Sequence, residues 1–191
     1  FNCHKCSWNG CVKPKENMYN KQEYTKPKTN NLANLNSKSK QFLNDRGITD
    51  EVIASNKIVS SKDGKKIVFP YLKNNELVNY KTRGLLTKTF MQSKNGKPII
   101  YNYDRVYNEK LIVICEGEID SLSWEVAGIT WHTSVNMGAP NTKDKNLDKK
   151  LECITNCYNV FEQAERIYVA TDNDDNGRYL QDELVRRFGA E

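Results

Sequence analysis

The sequence lacks any long apolar run, and this absence removes whole classes of protein. No segment approaches the roughly 18 apolar residues of a membrane-spanning helix, and no secretory signal pattern is present. Internal repeats and a phosphate-binding P-loop are absent as well. The six cysteines are scattered, and Cys115 lies in an apolar run where a buried free thiol is ordinary. We therefore expect a soluble, cytoplasmic protein with no membrane partner and no disulfide scaffold.

The net charge of +5 hides an asymmetry between the two halves of the chain. Residues 1–109 have 20 Lys and Arg against 9 Asp and Glu, whereas residues 110–191 have 9 against 15. Basic surface attracts phosphate chains, and clustered carboxylates bind metal ions. Lysine-rich surfaces also serve solubility, so charge alone leaves both interpretations open.

The first 39 residues are predicted to contain two segments outside the main fold. Residues 1–13 hold a Cys-x-x-Cys pair, Cys3 and Cys6, as in one half of a zinc ribbon. Ordinary surface cysteines are the alternative. Because a structural zinc takes four ligands, we expect the other pair upstream, so that Zn²⁺ binds only in the full-length protein. Residues 14–39 are rich in Lys, Asn, Ser and Pro and are predicted to be a flexible linker.

Residues 40–109 are predicted to form a small β-rich lobe that opens with helices. A short amphipathic helix begins near residue 39 and ends at Gly47. Thr49 or Asp50 then caps a second helix. The rest of this lobe reads as strand.

The β pattern of this lobe centres on a hairpin. Residues 66–72 and 76–83 flank an asparagine turn and are predicted as its strands. Residues 87–91 and 97–101 are predicted to extend the same sheet. Pro70 indicates an edge strand or a bulge, since proline donates no ladder hydrogen bond.

Strands and helices alternate from residue 111 onward. Apolar runs predict strands at 111–115, 129–134 and 166–171. Amphipathic runs predict helices at 119–127, 147–164 and 177–188, with a break of the second helix near Asn156 as an alternative. This alternation predicts a mostly parallel sheet flanked by helices, as a domain over residues 110–191.

Carboxylates follow two of these predicted strands. Glu116, Glu118 and Asp120 come after the first strand, and Asp172 and Asp174 come after the third. Because the carboxyl ends of parallel strands meet at one sheet edge, we expect these side chains to converge. Clustered carboxylates repel unless a cation joins them, and Mg²⁺ is the usual one. Glu118 lies where the helix dipole favours an acid, so we interpret it as a helix-start residue.

The second acidic cluster also fits a calcium-binding loop. Asp172, Asp174 and Asn176 have the right spacing, with Gly177 next and Glu183 at the twelfth position. That loop needs a helix before it, and here a strand pattern comes first. Calcium sensing is therefore disfavoured. A solvated capping turn explains one or two of the acids but not all of them.

Two further groups of residues could bind phosphate. Lys81 and Arg83 share one face of a predicted strand, with Lys88 and Phe90 close by in sequence. Such a face offers charge to phosphates and an aromatic ring to bases, although a solvated face is the ordinary alternative.

The second group is a loop of small residues after the middle predicted strand. Residues 133–140 include Ser134 and Gly138, whose backbone N–H groups could cradle a phosphate or shape the metal pocket. Most glycine-containing loops are only turns, so this loop carries little weight alone.

These motifs together resemble the Toprim domain, a metal-binding fold of primases, topoisomerases and some nucleases. The resemblance rests on residues 116–120, 172–174 and 177–178. The segment 42–58, the basic hairpin ending at Arg83 and the acidic motifs follow the order of phage-type, Twinkle-like primase–helicases. The expected fold is α/β: a Toprim domain, Rossmann-like, after the β-rich α+β lobe.

The resemblance implies roles for individual residues. Catalysis and binding of Mg²⁺ or Mn²⁺ are expected of Glu116, Asp120, Asp172 and Asp174. Contacts to nucleotide or template are expected of Lys81, Arg83, Lys88, Arg178, Ser134 and Gly138. The family usually has a further acidic strand and an attached helicase, so we expect this chain to be a fragment of a primase–helicase.

The expected function is that of a DNA primase, a nucleotidyltransferase that makes short RNA primers for DNA replication. Its partners would be single-stranded DNA template, ribonucleoside triphosphates and a C-terminal helicase domain, in a phage-infected or bacterial cell. Two alternatives stay open. A non-catalytic single-stranded-DNA-binding module would bind DNA regardless of magnesium, and a Toprim nuclease would cut DNA without nucleotides.

Overall fold

The computed structural model describes residues 23–144 and 146–189. The predicted zinc ligands Cys3 and Cys6 lie outside the described residues. Two sheets organise the chain: a five-stranded antiparallel sheet followed by a three-stranded parallel sheet. This mixed α/β architecture confirms the predicted fold class. In the described parts of the chain, no helix has the length and apolarity required of a membrane span.

The first lobe is built on an antiparallel sheet with strand order β1-β2-β3-β4-β5. Its strands are β1 (Leu32–Ala33), β2 (Val59–Ser61), β3 (Lys66–Lys73), β4 (Glu76–Gly84) and β5 (Phe90–Gln92). Two helices, α1 (Ser37–Asn44) and α2 (Asp50–Ser55), lie between β1 and β2 in the chain.

The predicted hairpin is confirmed as the longest strand pair of the molecule. β3 and β4 pair from Lys66 opposite Gly84 to Lys73 opposite Glu76. Asn74 and Asn75 form the two-residue turn with φ of 55° and 60°. Asparagine tolerates this left-handed conformation, which the favoured two-residue hairpin turn requires.

Pro70 lies where it interrupts little hydrogen bonding. β3 is an interior strand, but β2 pairs with it only as far as Val68, so Pro70 lies beyond that short neighbour. The β3–β4 register shifts between Tyr71 and Leu72. This shift, a bulge or another irregularity, agrees with the predicted bulge, whereas the predicted edge strand is wrong because β3 pairs with a strand on each side.

Regular structure begins earlier than predicted. β1 and the start of α1 lie inside residues 14–39, so the linker prediction was wrong for the end of that segment. Asn36 caps α1 by accepting a hydrogen bond from the Ser39 N–H at 2.8 Å, and Thr49 caps α2 as predicted. Polar residues that indicate a linker by composition here serve as caps.

The second lobe carries the parallel sheet with strand order β7-β6-β8. Its elements are α3 (Tyr103–Val106), β6 (Leu111–Cys115), α4 (Glu118–Val126), β7 (His132–Ser134), α5 (Leu147–Lys150), α6 (Glu152–Asn156), α7 (Tyr158–Glu162), β8 (Arg166–Ala170) and α8 (Asp175–Phe188). The helical segment predicted over 147–164 is broken twice, at Leu151 and at Cys157.

Residues 97–101 form no strand, contrary to the prediction. Lys97 donates its N–H to the Val78 carbonyl oxygen in the first lobe, and Tyr101 donates to the Ser134 carbonyl oxygen in the second. The segment crosses between the sheets instead of extending one of them. Ile99, Ile100 and Tyr101 are fully buried on the way, which accounts for their apolar pattern.

Candidate active site

The two acidic motifs meet at the carboxyl edge of the parallel sheet. β6 and β8 are neighbours that end level with each other, at Cys115 and Ala170. The backbone N–H of Asp172 donates a hydrogen bond of 2.9 Å to Glu116 Oε1. This contact joins chain segments 56 residues apart, so the predicted convergence of the two motifs is observed in this contact.

The absence of a side chain at Gly177 makes this contact possible. A Cβ at Gly177 would collide with the Asp172 carbonyl oxygen and lie 2.6 Å from Glu116 Oε1. Any larger residue would therefore push the two acidic motifs apart. The glycine that suggested a calcium loop instead lets α8 approach the end of β6.

Repulsion and lost hydration act on the carboxylates at this edge. Partial burial raises the pKa of Glu116, and the charges of Asp172, Asp174 and Asp120 raise it further. The pKa of Asp120 is raised by desolvation first and then by the charge of Asp172. Both carboxylates thus carry negative charge at a cost, which a bound cation would remove.

Asp174 and Arg178 serve α8 directly. Asp174 is the N-cap of α8, and its Oδ1 accepts a hydrogen bond of 2.8 Å from the Gly177 N–H. Arg178 donates from Nε to Asn173 Oδ1 at 3.1 Å. Asp174 is therefore partly committed to capping, and the predicted roles of both residues stay predictions.

Lys81 reaches the site from the first lobe, where it is paired with Glu118. Its Nζ lies 3.0 Å from Glu118 Oε1 and 3.1 Å from Oε2, and the Tyr71 hydroxyl donates to the same carboxylate. Lys81 is 7% exposed and Glu118 is 4% exposed. Glu118 does lie at the helix start, but interpreting it as only that was wrong, since it bridges the lobes in a buried ion pair.

Glu125, seven residues further along α4, makes a second bridge between the lobes. Its carboxylate accepts hydrogen bonds from Ser55 at 2.7 Å and Asn56 at 2.6 Å, both in the first lobe. Arg105 lies 3.2 Å away, and buried His132 lies 3.3 Å away. Two acids on one face of α4 thus hold it against the first lobe.

Cations and aromatic rings alternate along the first lobe towards the cleft. Arg83 lies 4.4 Å from the centre of the Phe42 ring and 5.9 Å from that of Phe90. Arg46 lies 4.7 Å from the Phe42 ring, and Lys81 lies 5.2 Å from the Phe90 ring. We call these five residues the cation–aromatic row. Such rows suit single-stranded nucleic acid, whose phosphates are anionic and whose bases stack.

An open cleft of about 670 Å³ separates the acidic edge from the first lobe. Six of the predicted site residues line it: Glu116, Asp120, Asp172, Lys81, Lys88 and Gly138. Four others lie off its walls: Asp174, Arg178, Arg83 and Ser134.

Ser134 is the predicted binding residue that the structure supports least. Its side chain is fully buried and, unlike the side chains that line the cleft, it takes no part in the cleft wall. Gly138 does border the cleft, with φ of 69°. Only the part of the loop beyond β7 therefore has access to a ligand.

Comparison with known proteins places this arrangement in a family. The Toprim-like family matches residues 113–191. The primase homolog protein of Arabidopsis thaliana is 35% identical over 168 residues, which cover 84% of this chain and 50% of that protein. Residues 113–191 are thus Toprim-like, and the chain as a whole resembles Toprim-domain primases.

Two further relatives extend the match to the primase–helicase type. The Twinkle homolog protein (chloroplastic/mitochondrial) of Arabidopsis thaliana is 35% identical over 154 residues, 76% of this chain and 22% of that protein. The crystal structure of the primase fragment of the bacteriophage T7 primase-helicase has a TM-score of 0.65 and 25% identity, covering 90% of this chain and 72% of that one. The chain thus spans half or less of the length of the two Arabidopsis relatives, and the suspected resemblance is confirmed.

Toprim-domain primases generally use a divalent metal, and the chemistry of this acidic edge fits one. Glu116, Asp120 and Asp172 present hard oxygen ligands on one wall of the cleft. Within residues 23–144 and 146–189, however, no three His, Cys, Asp or Glu side chains are placed as a ready set around one ion. Mg²⁺ suits such a loose set, because it keeps several waters and takes only one or two protein carboxylates.

Two buried polar residues that line the cleft, Glu118 and Asn136, have placements that motif reasoning missed. Ser121, Leu122 and Glu125 follow Glu118 by three, four and seven residues, so all four share one face of α4. This helical period was the signal that Glu118 faces inward. Asn136, in the cleft wall, carried no comparable signal.

Proposed function

We propose that this chain carries the polymerising site of a DNA primase, which makes short RNA primers on a single-stranded DNA template. The reaction is nucleotidyl transfer: a ribose 3′-hydroxyl attacks the α-phosphate of a ribonucleoside triphosphate, and pyrophosphate leaves. The observation that supports this most is the meeting of Glu116 and Asp172 at one edge of a cleft whose opposite wall carries Lys81 and Lys88.

The acidic wall would hold the metal and receive the proton. Glu116, Asp120 and Asp172 are the proposed ligands of Mg²⁺ or Mn²⁺, with Asp174 behind them. When bound, the metal stabilises charge on the attacking and leaving oxygens. Glu116 alternatively serves as the general base, since its carboxylate lies on the same wall of the cleft.

The basic wall would neutralise the substrate. Lys88 lies on the exposed loop between β4 and β5 and lines the cleft, where it can meet a triphosphate. Lys81 is held at a fixed point of the wall by Glu118, whose carboxylate also accepts a hydrogen bond from the Tyr71 hydroxyl. A positioned charge of this kind needs little reorganisation when phosphate arrives.

The template would follow the cation–aromatic row out of the cleft. Phe90 lines the cleft and is 44% exposed, so its ring is available for base stacking. The remaining members of the row continue that surface onto α1. Binding through such a row should weaken with salt, because it depends on neutralised phosphates.

The other expected parts of the protein are proposed on a relative and on the sequence. We infer that a helicase domain works with this chain in the complete protein, as the name of the T7 primase-helicase suggests. A Zn²⁺-binding module is proposed on the Cys3 and Cys6 spacing. A phage-infected or bacterial cytoplasm stays a prediction, since one relative is named as chloroplastic/mitochondrial.

Template-directed synthesis tests the proposal. With ribonucleotides, Mg²⁺ and single-stranded DNA, the complete protein should make short RNA, and Asp172→Asn should reduce synthesis at least about 100-fold while leaving DNA binding unchanged. Asp182→Asn, the same change on the exposed face of α8, is the matched control.

The outcomes separate the rival functions. DNA binding without synthesis, equal in wild type and Asp172→Asn and indifferent to magnesium, would establish a binding module instead. Strand cleavage in Mg²⁺ or Mn²⁺ without nucleotides would establish a nuclease.

A further inference from the structure

Asn136 is a buried polar residue in the wall of the proposed catalytic cleft. It lies in the loop after β7, is 1% exposed and borders the same cleft as Glu116 and Lys81. Its Oδ1 accepts no hydrogen bond from any residue in the described part of the chain. A buried acceptor without a donor costs about 1–3 kcal/mol, so a missing partner is indicated.

The orientation of the Asn136 amide follows from a chain of hydrogen bonds that starts at Asn79. The backbone N–H of Tyr80 donates to Asn79 Oδ1 at 2.8 Å, so the Asn79 amide nitrogen must lie on the other side. That nitrogen donates to Gln92 Oε1 at 2.7 Å. Gln92 therefore presents its oxygen to this network and its nitrogen elsewhere.

Gln92 in turn determines which end of the Asn136 amide faces the network. Gln92 Nε2 donates to the Asn136 carbonyl oxygen at 3.1 Å. Gln92 Oε1, which has no proton to give, lies 3.3 Å from Asn136 Nδ2. The Asn136 amide must donate here, which leaves its Oδ1 as the free acceptor.

The network is enclosed tightly enough to hold this orientation. Asn79 is fully buried, and Ser93 donates a second hydrogen bond of 2.7 Å to its Oδ1. A Cβ at Gly96 would collide with both of these side chains. A tightly packed set of amides thus ends in one buried, unsatisfied oxygen, which belongs to a residue that lines the cleft.

The chemistry of a nucleotide limits which donor could satisfy this oxygen. Amines on the bases differ from one base to the next, and a template-directed enzyme accepts all four bases at one site. The 3′-hydroxyl is common to ribonucleotides and deoxyribonucleotides. The 2′-hydroxyl is a donor on every ribonucleotide and is missing from every deoxyribonucleotide, which makes it the group that distinguishes the two.

We propose that Asn136 selects ribonucleotides by accepting a hydrogen bond from the 2′-hydroxyl of the incoming nucleotide. This inference rests on the proposed primase function and names a specificity-determining residue of the same site. A bound deoxyribonucleotide would leave Asn136 Oδ1 buried and without a donor. Polar pockets discriminate in this way against analogues that lack a hydroxyl.

Incorporation kinetics on the complete protein test this role. We expect the ratio of kcat/KM for ATP to that for dATP to fall about tenfold in Asn136→Ala, since one hydrogen bond is lost. The value for dATP itself should change little. Met137→Ala, a change in the adjacent, more exposed residue of the same cleft, should leave the ratio as in wild type.

A second variant and two further nucleotides sharpen the test. Asn136→Ser serves as a second variant in case Asn136→Ala folds poorly. Its hydroxyl is too short to reach the Oδ1 position, so the ratio of kcat/KM for ATP to that for dATP should fall in the same way. Calorimetric binding of ATP, 2′-deoxy-ATP and 3′-deoxy-ATP in Mg²⁺ gives a readout independent of turnover. Discrimination against the 2′-deoxy compound should weaken in both variants, whereas affinity for the 3′-deoxy compound should follow that for ATP.

Several results would overturn the proposal. An unchanged ratio in both Asn136 variants, an equal loss for ATP and dATP, or a change confined to the 3′-deoxy compound would each show that Asn136 only packs against Gln92. If the wild type neither binds nor incorporates any nucleotide, the primase function itself fails, and this inference fails with it.

Discussion

The carboxylates on and beside α4 occupy two opposite environments only a few residues apart. Glu118 and Glu125 each lie beside a cation, Lys81 and Arg105 respectively, and each accepts hydrogen bonds from the first lobe. Glu116 and Asp120 point to the cleft, where the neighbouring charges are mostly those of other carboxylates. Burial alone would raise the pKa of Glu125, but its hydrogen bonds from Asn56 and Ser55 outweigh burial, and the pKa is lowered. The pKa of Glu116 is instead raised, by burial and by the like charge of its neighbours.

This difference separates acids that hold the protein together from acids that await a ligand. A carboxylate whose partners belong to the fold stabilises the fold, and removing it leaves those partners buried and unpaired. A carboxylate surrounded by like charge destabilises the fold until a cation arrives, so its presence is explained by function. Substitutions in the two groups should therefore change stability in opposite directions.

The largest change in stability is expected from Glu118→Ala. Lys81 would be left as an uncompensated charge in a buried position, together with the Tyr71 hydroxyl. The free energy of unfolding at pH 7, measured with urea, should fall by about 3–5 kcal/mol.

A double variant controls for that prediction. Replacing both partners, as in Lys81→Met with Glu118→Met, removes the charges together and should recover most of the lost stability. If Glu118→Ala and the double variant are equally unstable, lost packing and not the lone charge is the cause.

A smaller loss is expected from Gly177→Ala. The added methyl group would collide with the backbone of Asp172 and with Glu116, so the contact between the acidic motifs must open. Overpacking of this kind costs about 1–3 kcal/mol in the free energy of unfolding. Magnesium-dependent synthesis should fall as well, because the carboxylates would separate.

Asn176→Ala provides the matched comparison for Gly177→Ala. Asn176 is the preceding residue of α8 and is exposed, so the same small side chain there should change stability by less than about 0.5 kcal/mol. Equal effects at both positions would contradict the close approach at Gly177.

The smallest effect, and one of opposite sign, is expected from Asp120→Asn. The folded-state pKa of Asp120 is raised, so its contribution to stability is complete below its unfolded pKa of about 4 and is lost as pH rises. The substitution should therefore increase the free energy of unfolding at pH 7 by less than about 1 kcal/mol, since water reaches the site. Near pH 3 the variant and wild type should agree.

Magnesium gives the matching check on Asp120→Asn. Mg²⁺ should raise the melting temperature of the wild type through binding to the folded state, and it should raise that of the variant less. A variant that is less stable than wild type at pH 7 would place Asp120 with the structural carboxylates.

Local patterns were enough to predict much of this fold. The hairpin, β6, β8 and the start of α2 follow from alternation, apolar runs and caps within a few residues. The predicted strand over 97–101 shows the limit of such patterns. Ile99 and Ile100 are apolar because the segment crosses the core between the lobes, and periodicity cannot distinguish that from a strand.

The candidate site divides in the same way. Glu116 and Asp172 could be placed from sequence, because each follows a strand and neighbouring parallel strands present the same end. Ser134 is the last residue of β7, and its side chain is fully buried, which the sequence around it does not reveal. The orientation of the Asn136 amide is determined only by Asn79 and Gln92, which lie 57 and 44 residues away in sequence.

The sequence by itself therefore determined which elements form and at which sheet edge the acids emerge, since these depend on neighbours along the chain. Only the tertiary structure decided which acids are neutralised. Lys81, the cation beside Glu118, and Asn56, a donor to Glu125, come from the first lobe, and a charge pair depends on distance in space and on exclusion of water. Neither quantity can be read from residue order.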